Sequence, residues 1–211
     1  YLNDGNKQKA IAVLDQLNKM ISTELFPMTF DNEHKLAKLY AQAGDMAKAK
    51  QYAQIGIASC KELIDNPDLK PEYVQYEITN RYFGPYRAAS ELYEIIGDAN
   101  GAKTMLEGLK IKTKAMRDML YSQGYSERDI QRMDYAVADI QFSIEMLPIN
   151  PLISSGKLQN AYDELQKMKV RFANPKNMEE QIIKSMLESQ IMDLGRKLGV
   201  GAGFGVWHSF G

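Results

Sequence analysis

A glycine-centred hinge recurs four times along this 211-residue chain, and no other feature limits its fold so tightly. With Gly5, Gly44, Gly97 and Gly156 aligned, an alanine follows five residues later in every copy: Ala10, Ala49, Ala102 and Ala161. Nine residues after the glycine stand Leu14, Ala53, Leu106 and Leu165. Four residues before it stand Tyr1, Tyr40 and Tyr93, with Leu152 in a weaker fourth copy. Glycine ends a helix readily because it takes the left-handed conformation at little steric cost. The short acid that follows, Asp45 or Asp98, suits the cap of a second helix, accepting a hydrogen bond from a free N–H. The alanine lets the two helices approach, and the tyrosine fills the gap between them. The recurring unit is therefore a helix–turn–helix, and most of the chain is expected to be scaffold.

The pattern is fullest in LAKLYAQAGDMAKAKQYAQIG, Leu36 to Gly56, and AASELYEIIGDANGAKTMLEGL, Ala88 to Leu109. YLNDGNKQKAIAVLDQL, Tyr1 to Leu17, reads as the back half of another copy. These residues resemble the tetratricopeptide repeat (TPR), a helix–turn–helix unit of about 34 residues. The glycines here are 39, 53 and 59 residues apart, and the closing proline of the repeat is missing from its expected place. The resemblance thus implies an all-α, irregular TPR-like helical repeat, an α–α superhelix of antiparallel helix pairs. It would span residues 1–198, with a Gly/aromatic tail at 199–211.

Periodicity agrees. Apolar residues at Ala10, Ile11, Leu14, Leu17 and Ile21 mark one face of a helix over Lys7 to Ile21. Phe26-Pro27 breaks it, and a second helix runs from Asp31 or Asn32 to Ala43. The next spans Met46 to about Ile64, ended by Asn66-Pro67. Pro71 suits the first turn of a helix ending near Gly84-Pro85. Tyr86 to Ile96 and Ala99 to Tyr121 flank the third hinge, and Ser126 to Asp129 caps a helix over Glu127 to Leu147. Pro148 and Pro151 interrupt the chain before a final pair, Lys157 to Phe172 and Asn177 to Leu198. No segment reads as a strand.

A narrower resemblance rests on FPMTFDNEHKLAKLYAQAGD and NRYFGPYRAASELYEIIGDANGAKTMLEGL. These stretches look similar to the soluble C-terminal repeat tails of bacterial multi-pass membrane proteins related to protein O-mannosyltransferases. The resemblance implies a periplasmic or extracytoplasmic accessory domain, with an upstream membrane domain of the same chain. The membrane spans and glycosyl-transfer residues of that family have no counterpart here, so it transfers no activity. Tyr1 would end a first helix whose earlier part is absent. An excised piece of a longer protein is therefore expected, with the face of Ile11 and Leu14 exposed unless something covers it; the alternative is a natural N-terminus after processing or a few disordered residues. No apolar run approaches the roughly 18 residues of a membrane span, and no signal peptide is visible.

Chemistry candidates are few. A net charge of −1 offers no overall basic field for nucleic acid. The lone cysteine, Cys60, and the two histidines, His34 and His208, have no zinc spacing. A Cys60–His34 dyad would need the base within hydrogen-bond reach, but Cys60 sits beside Leu63 and Ile64 on a helix and reads better as a buried structural thiol. Ser154-Ser155-Gly156 lacks the G-x-S-x-G elbow and reads as a hinge, and Glu179-Glu180 as a solvated first turn. No catalytic residue, cofactor site or metal site is assigned.

Binding features are more evident. EYVQYEITNRYFGPYR, Glu72 to Arg87, gathers Tyr73, Tyr76, Tyr82, Phe83 and Tyr86 with Arg81 and Arg87. Tyrosine and arginine are frequent binding hot spots, and the arginines suit a carboxylate ligand. The competing reading, which is preferred, has Tyr73 and Tyr76 at helical spacing filling the gap between repeats. Met116, Met119 and Met133 pose the same choice between an adaptable groove and core filler. The uncharged tail GVGAGFGVWHSFG has no phosphate-loop pattern, and Trp207 favours docking onto an apolar groove. Partner-binding candidates are thus Tyr76, Arg81, Tyr82, Tyr86, Arg87 and Trp207. The expected function is a protein–protein interaction scaffold that binds a peptide or partner domain on a helical groove. The alternatives are a non-catalytic glycosyltransferase tail that positions an acceptor and, less favoured, an enzyme using Cys60.

Overall fold

Local signals set almost every helix end. The computed structural model describes residues 5–20, 30–66 and 78–199, apart from the side chains of Met20 and of residues 78–83. These residues are all-α, with no strand among them. They form α1 (Lys7–Met20), α2 (Phe30–Ala43), α3 (Met46–Asp65), α4 (Ile78–Ile96), α5 (Ala99–Ser122), α6 (Glu127–Met146), α7 (Asn150–Ser154), α8 (Leu158–Arg171) and α9 (Met178–Leu198). None is long and apolar enough to cross a membrane.

The hinges share one backbone geometry. Gly44 has φ 90°, and its N–H donates to the Ala41 carbonyl while the Asp45 N–H donates to the Tyr40 carbonyl at 2.9 Å. The same two bonds close α4 at Gly97, onto Glu94 and Tyr93, and α7 at Gly156, onto Ile153 and Leu152. This six-to-one and five-to-two pattern satisfies carbonyls that a helix end otherwise leaves orphaned. It gives the position four before the glycine a backbone role in addition to packing. The following helix is capped in turn. The Oδ1 atoms of Asn6, Asp45 and Asp98 accept from the N–H groups of Lys9, Lys48 and Gly101, whereas Lys157 provides no side-chain cap. Each recurring alanine donates its N–H to the carbonyl at the cap position and buries its methyl. Gly124, between α5 and α6, repeats the closure onto Tyr121 and Leu120, although neither a tyrosine four before it nor an alanine five after it marks the site.

Contacts divide the chain into two compact units, Tyr1–Leu109 and Lys110–Gly211. In the first, α3 packs against both α2 and α4. Small residues permit the approach: Ala37, Ala49, Ala53, Cys60 and Ala89 are fully buried. A Cβ added at Gly56 would come within 2.7 Å of Leu92 Cδ1 and 3.2 Å of the Glu33 Cβ. Helix α1 joins through Leu14 and Ile11, which cluster with Leu36, Tyr40 and Ala49. The face of Ile11 and Leu14, expected to be exposed unless something covered it, packs on α2 and α3; Val13 and Leu17 of α1 are exposed.

One expected break is absent. Helix α4 runs from Ile78 to Ile96 with Pro85 inside it. An internal proline removes one N–H and crowds the carbonyl four residues earlier, costing about 3 kcal/mol in an isolated helix. Here Pro85 is buried, and α4 gains its packing against α3 and α2, which outweighs the local defect.

The second unit has its own core. Ala138 and Met146 of α6, Ile149, Ala161, Leu165 and Met168 of α8, and Ile182, Ile183, Leu187, Ile191 and Leu194 of α9 cluster with Phe172. Ser126 caps α6 and Asn177 caps α9, each through its side-chain oxygen. Between Pro148 and Ser155 the chain forms the single-turn α7.

Candidate functional site

The predicted binding residues do not form one described surface. Tyr76 and Trp207 lie outside the described residues, as does the tail from 200 to 211. Arg81 and Tyr82 belong to α4, but their side chains are outside the description. Tyr86 is half-buried, and a Cβ at Gly108 of α5 would come within 2.8 Å of its ring. Burial, then the Asp65 carboxylate, raises its hydroxyl pKa above the ordinary value. Tyr86 thus fills the space left by a glycine, while Arg87 is exposed one residue further along α4; Tyr73 and Tyr76, read as gap fillers, lie outside the described residues.

The two chemistry candidates are engaged elsewhere. Cys60 is completely buried, and its thiol is pushed up to about 12, first by burial and then by Glu33 and Asp31. A thiol in that state holds its proton at neutral pH and is a poor nucleophile. His34 Nε2 sits 2.9 Å from Glu91 Oε2, the same oxygen that accepts from Lys38 Nζ at 2.6 Å. His34 and Lys38 hold the Glu91 carboxyl down to about 2. This group pins α2 to α4. Among the described residues, no three or more His, Cys, Asp or Glu side chains converge as a metal-binding group.

A second polar group ties α1 to the first described hinge pair. Both carboxylate oxygens of Asp15 accept from Lys48 Nζ, at 2.6 and 2.7 Å, and Oδ1 also accepts from the Tyr40 hydroxyl at 2.8 Å. Lys48, and then Tyr40, lower the Asp15 pKa. The Lys48 ammonium also lies over the Tyr40 ring, which stacks on Tyr52 at 5.5 Å with the planes 2° apart. Asn18 donates to the Tyr52 hydroxyl. Tyr40 is therefore more than a gap filler: its carbonyl closes α2, its ring stacks on α3, and its hydroxyl anchors α1.

In the second unit, Lys110 Nζ reaches Glu179 Oε1 at 2.6 Å and Gln141 Oε1 at 2.7 Å. Glu179 is thus an anchor joining α5 and α9, beyond the solvated first-turn acid expected from sequence. Arg117 bonds Asp134 of α6 and its neighbour Asp118. These networks neutralise their own charges and fix helices.

Several large apolar side chains are open to solvent as well, Met46 and Ile55 of α3 among them. Beside Val13 and Leu17 on α1, Met119, Tyr121, Tyr125 and Tyr135 are exposed around the α5–α6 turn of the second unit. Of the three methionines considered for a groove, Met119 is exposed and Met116 and Met133 are half-buried. The apolar periodicity of α1 includes Leu17, yet that side chain is 48% exposed.

Comparison with known protein families, curated proteins and solved structures finds no match to this chain.

Proposed function

We propose that the chain is a TPR-like interaction module, a non-catalytic scaffold that presents helical surfaces to a peptide or partner protein. The observation that carries this reading is the reuse of one hinge, with the same glycine conformation, closing bonds and buried alanine. Such reuse builds a framework of helix pairs in which the charged side chains described above bond to one another. Repeats of this kind offer extended surfaces, and their exposed apolar residues supply contacts.

Selection from a displayed library of helical and extended peptides tests the reading. It anticipates saturable binders that compete with one another for the folded protein. A folded protein that captures no peptide above background overturns it.

A further inference from the structure

We propose that the surface where α5 meets the start of α9 docks an acidic segment of a partner protein, one with apolar side chains between its carboxylates. This deepens the interaction-module reading and rests on it. The surface lies wholly within the second unit and is built from described side chains. Glu179, in the first turn of α9, takes Lys110 Nζ at 2.6 Å and Lys114 Nζ at 3.7 Å. That ion group brings Ile111 of α5 and Met178 of α9 to one place. Ile111 adjoins Lys110 and lies one turn before Lys114, and Met178 adjoins Glu179. Ile111 is 69% exposed and Met178 49%. Val170, in the last turn of α8 before the chain enters α9, is 76% exposed. Lys184 Nζ donates to the Ala173 carbonyl at 3.0 Å and so holds the α8–α9 turn against α9. The apolar side chains are thus displayed on a fixed support, which lowers the ordering cost of binding.

Charge selects the occupant. Residues 165–178 include Lys167, Lys169, Arg171 and Lys176 and no acid. Lys167 pairs with Glu164 and Arg171 with Glu145. Lys169 and Lys176 are exposed and, among the described residues, hold no ion pair. On the α5 side, Lys110 and Lys114 share the single Glu179 carboxylate. Glu180, the other acid of this turn, accepts from the Lys176 backbone N–H at 2.7 Å. The ammonium groups of Lys110, Lys114, Lys169 and Lys176 therefore outnumber the carboxylates of Glu179 and Glu180, and the surplus is positive. Opposite charge on a partner steers encounter and fixes register.

Other occupants fit less well. A second copy presenting the same surface would set like cations against one another. A bilayer of anionic lipid would press continuous negative charge onto Asp118, which lies two turns beyond Ile111 on the same face of α5 and is 67% exposed even while paired with Arg117. A peptide can carry its carboxylates away from that acid.

The probe is a fluorescein-labelled peptide of repeated Glu-Glu-Leu-Leu, titrated with the intact chain by anisotropy. Saturable binding is expected, weakened by added salt and weakened at least tenfold by Lys176→Glu and by Ile111→Ser in variants that keep the parent circular dichroism. Val13→Ser, at an exposed site of the first unit, should leave it unchanged. No binding, or binding insensitive to both variants of the surface, overturns the docking site. Equal affinity for a peptide of repeated Gln-Gln-Leu-Leu overturns the acidic preference. Co-sedimentation with phosphatidylglycerol vesicles that Ile111→Ser abolishes assigns the surface to lipid, and a dimer that Ile111→Ser dissolves assigns it to a second copy; either overturns the partner segment. Library binders insensitive to Lys176→Glu and Ile111→Ser sink this inference alone, whereas a library without binders sinks the module reading.

Discussion

Replacing Gly56 with alanine sets two effects of similar size against each other, and the packing of α3 decides the sign. Gly56 lies inside α3, where alanine is favoured over glycine by about 1 kcal/mol. The new Cβ would stand 2.7 Å from Leu92 Cδ1 and 3.2 Å from the Glu33 Cβ. Leu92 is fully buried and Glu33 nearly so, and neither has solvent to retreat into. Overpacking by one methyl in such a site costs roughly 1–3 kcal/mol. The balance is a destabilisation of about 1 kcal/mol, which lowers the melting temperature of a unit this size by about 4–8 °C. Because the chain contains two units, native-state hydrogen exchange of the α3 amides is the appropriate assay, supported by a thermal melt. Shortening the obstacle should reverse the effect: in a Leu92→Val background Gly56→Ala is expected to be neutral or stabilising. A stabilised Gly56→Ala in the parent, or the same change in both backgrounds, would refute the close approach of α3 and α4.

Other perturbations read other parts of the framework. Ala49→Glu places a carboxylate where the parent methyl is fully buried, a change that costs several kcal/mol; loss of helical circular dichroism is expected, and a folded variant would contradict the packing role of the alanine. Cys60, with its thiol near 12 and no exposed surface, should resist alkylation at pH 8 and react only as urea opens the first unit; native labelling at the rate of a free thiol would show otherwise. Glu91 titrates at about 2 when folded, below its ordinary 4.5. The folded state therefore binds fewer protons between those values, and its stabilising contribution, complete above pH 4.5, disappears as pH falls through 2. Glu91→Gln should flatten that part of the acid limb, and an unchanged limb would show that the His34–Glu91–Lys38 group contributes nothing.

Much of the fold was legible because its punctuation is local. A glycine with positive φ, a short cap after it and an alanine five residues on act within one turn of chain, so the C-terminal ends of α2, α3, α4, α5 and α9 can be read within a residue or so. The Gly84-Pro85 break misled because packing of α4 against α3 and α2 outweighs the local cost. The turn between α5 and α6 was legible from Ser126, but its likeness to the other hinges was not, because the backbone closure at Gly124 needs only the glycine, while tyrosine and alanine report how adjacent helices pack. The groups at Asp15–Lys48 and His34–Glu91 were illegible for a different reason. Their partners are 33 and 57 residues apart, and no periodicity relates them until α1, α2, α3 and α4 are in place.

The hinge also explains why function is harder to read than fold. Tyr40 closes α2 with its carbonyl, stacks on Tyr52 and anchors Asp15, so its conspicuous chemistry is already used in holding three helices together. Glu179, Glu91 and Cys60 are likewise accounted for by packing or pairing. Leucine at position 17 is unremarkable as a residue, and its periodicity in α1 reads as core. Only comparison with Gly56, Leu109 and Met168 shows that the same register position is buried in those copies and open in α1.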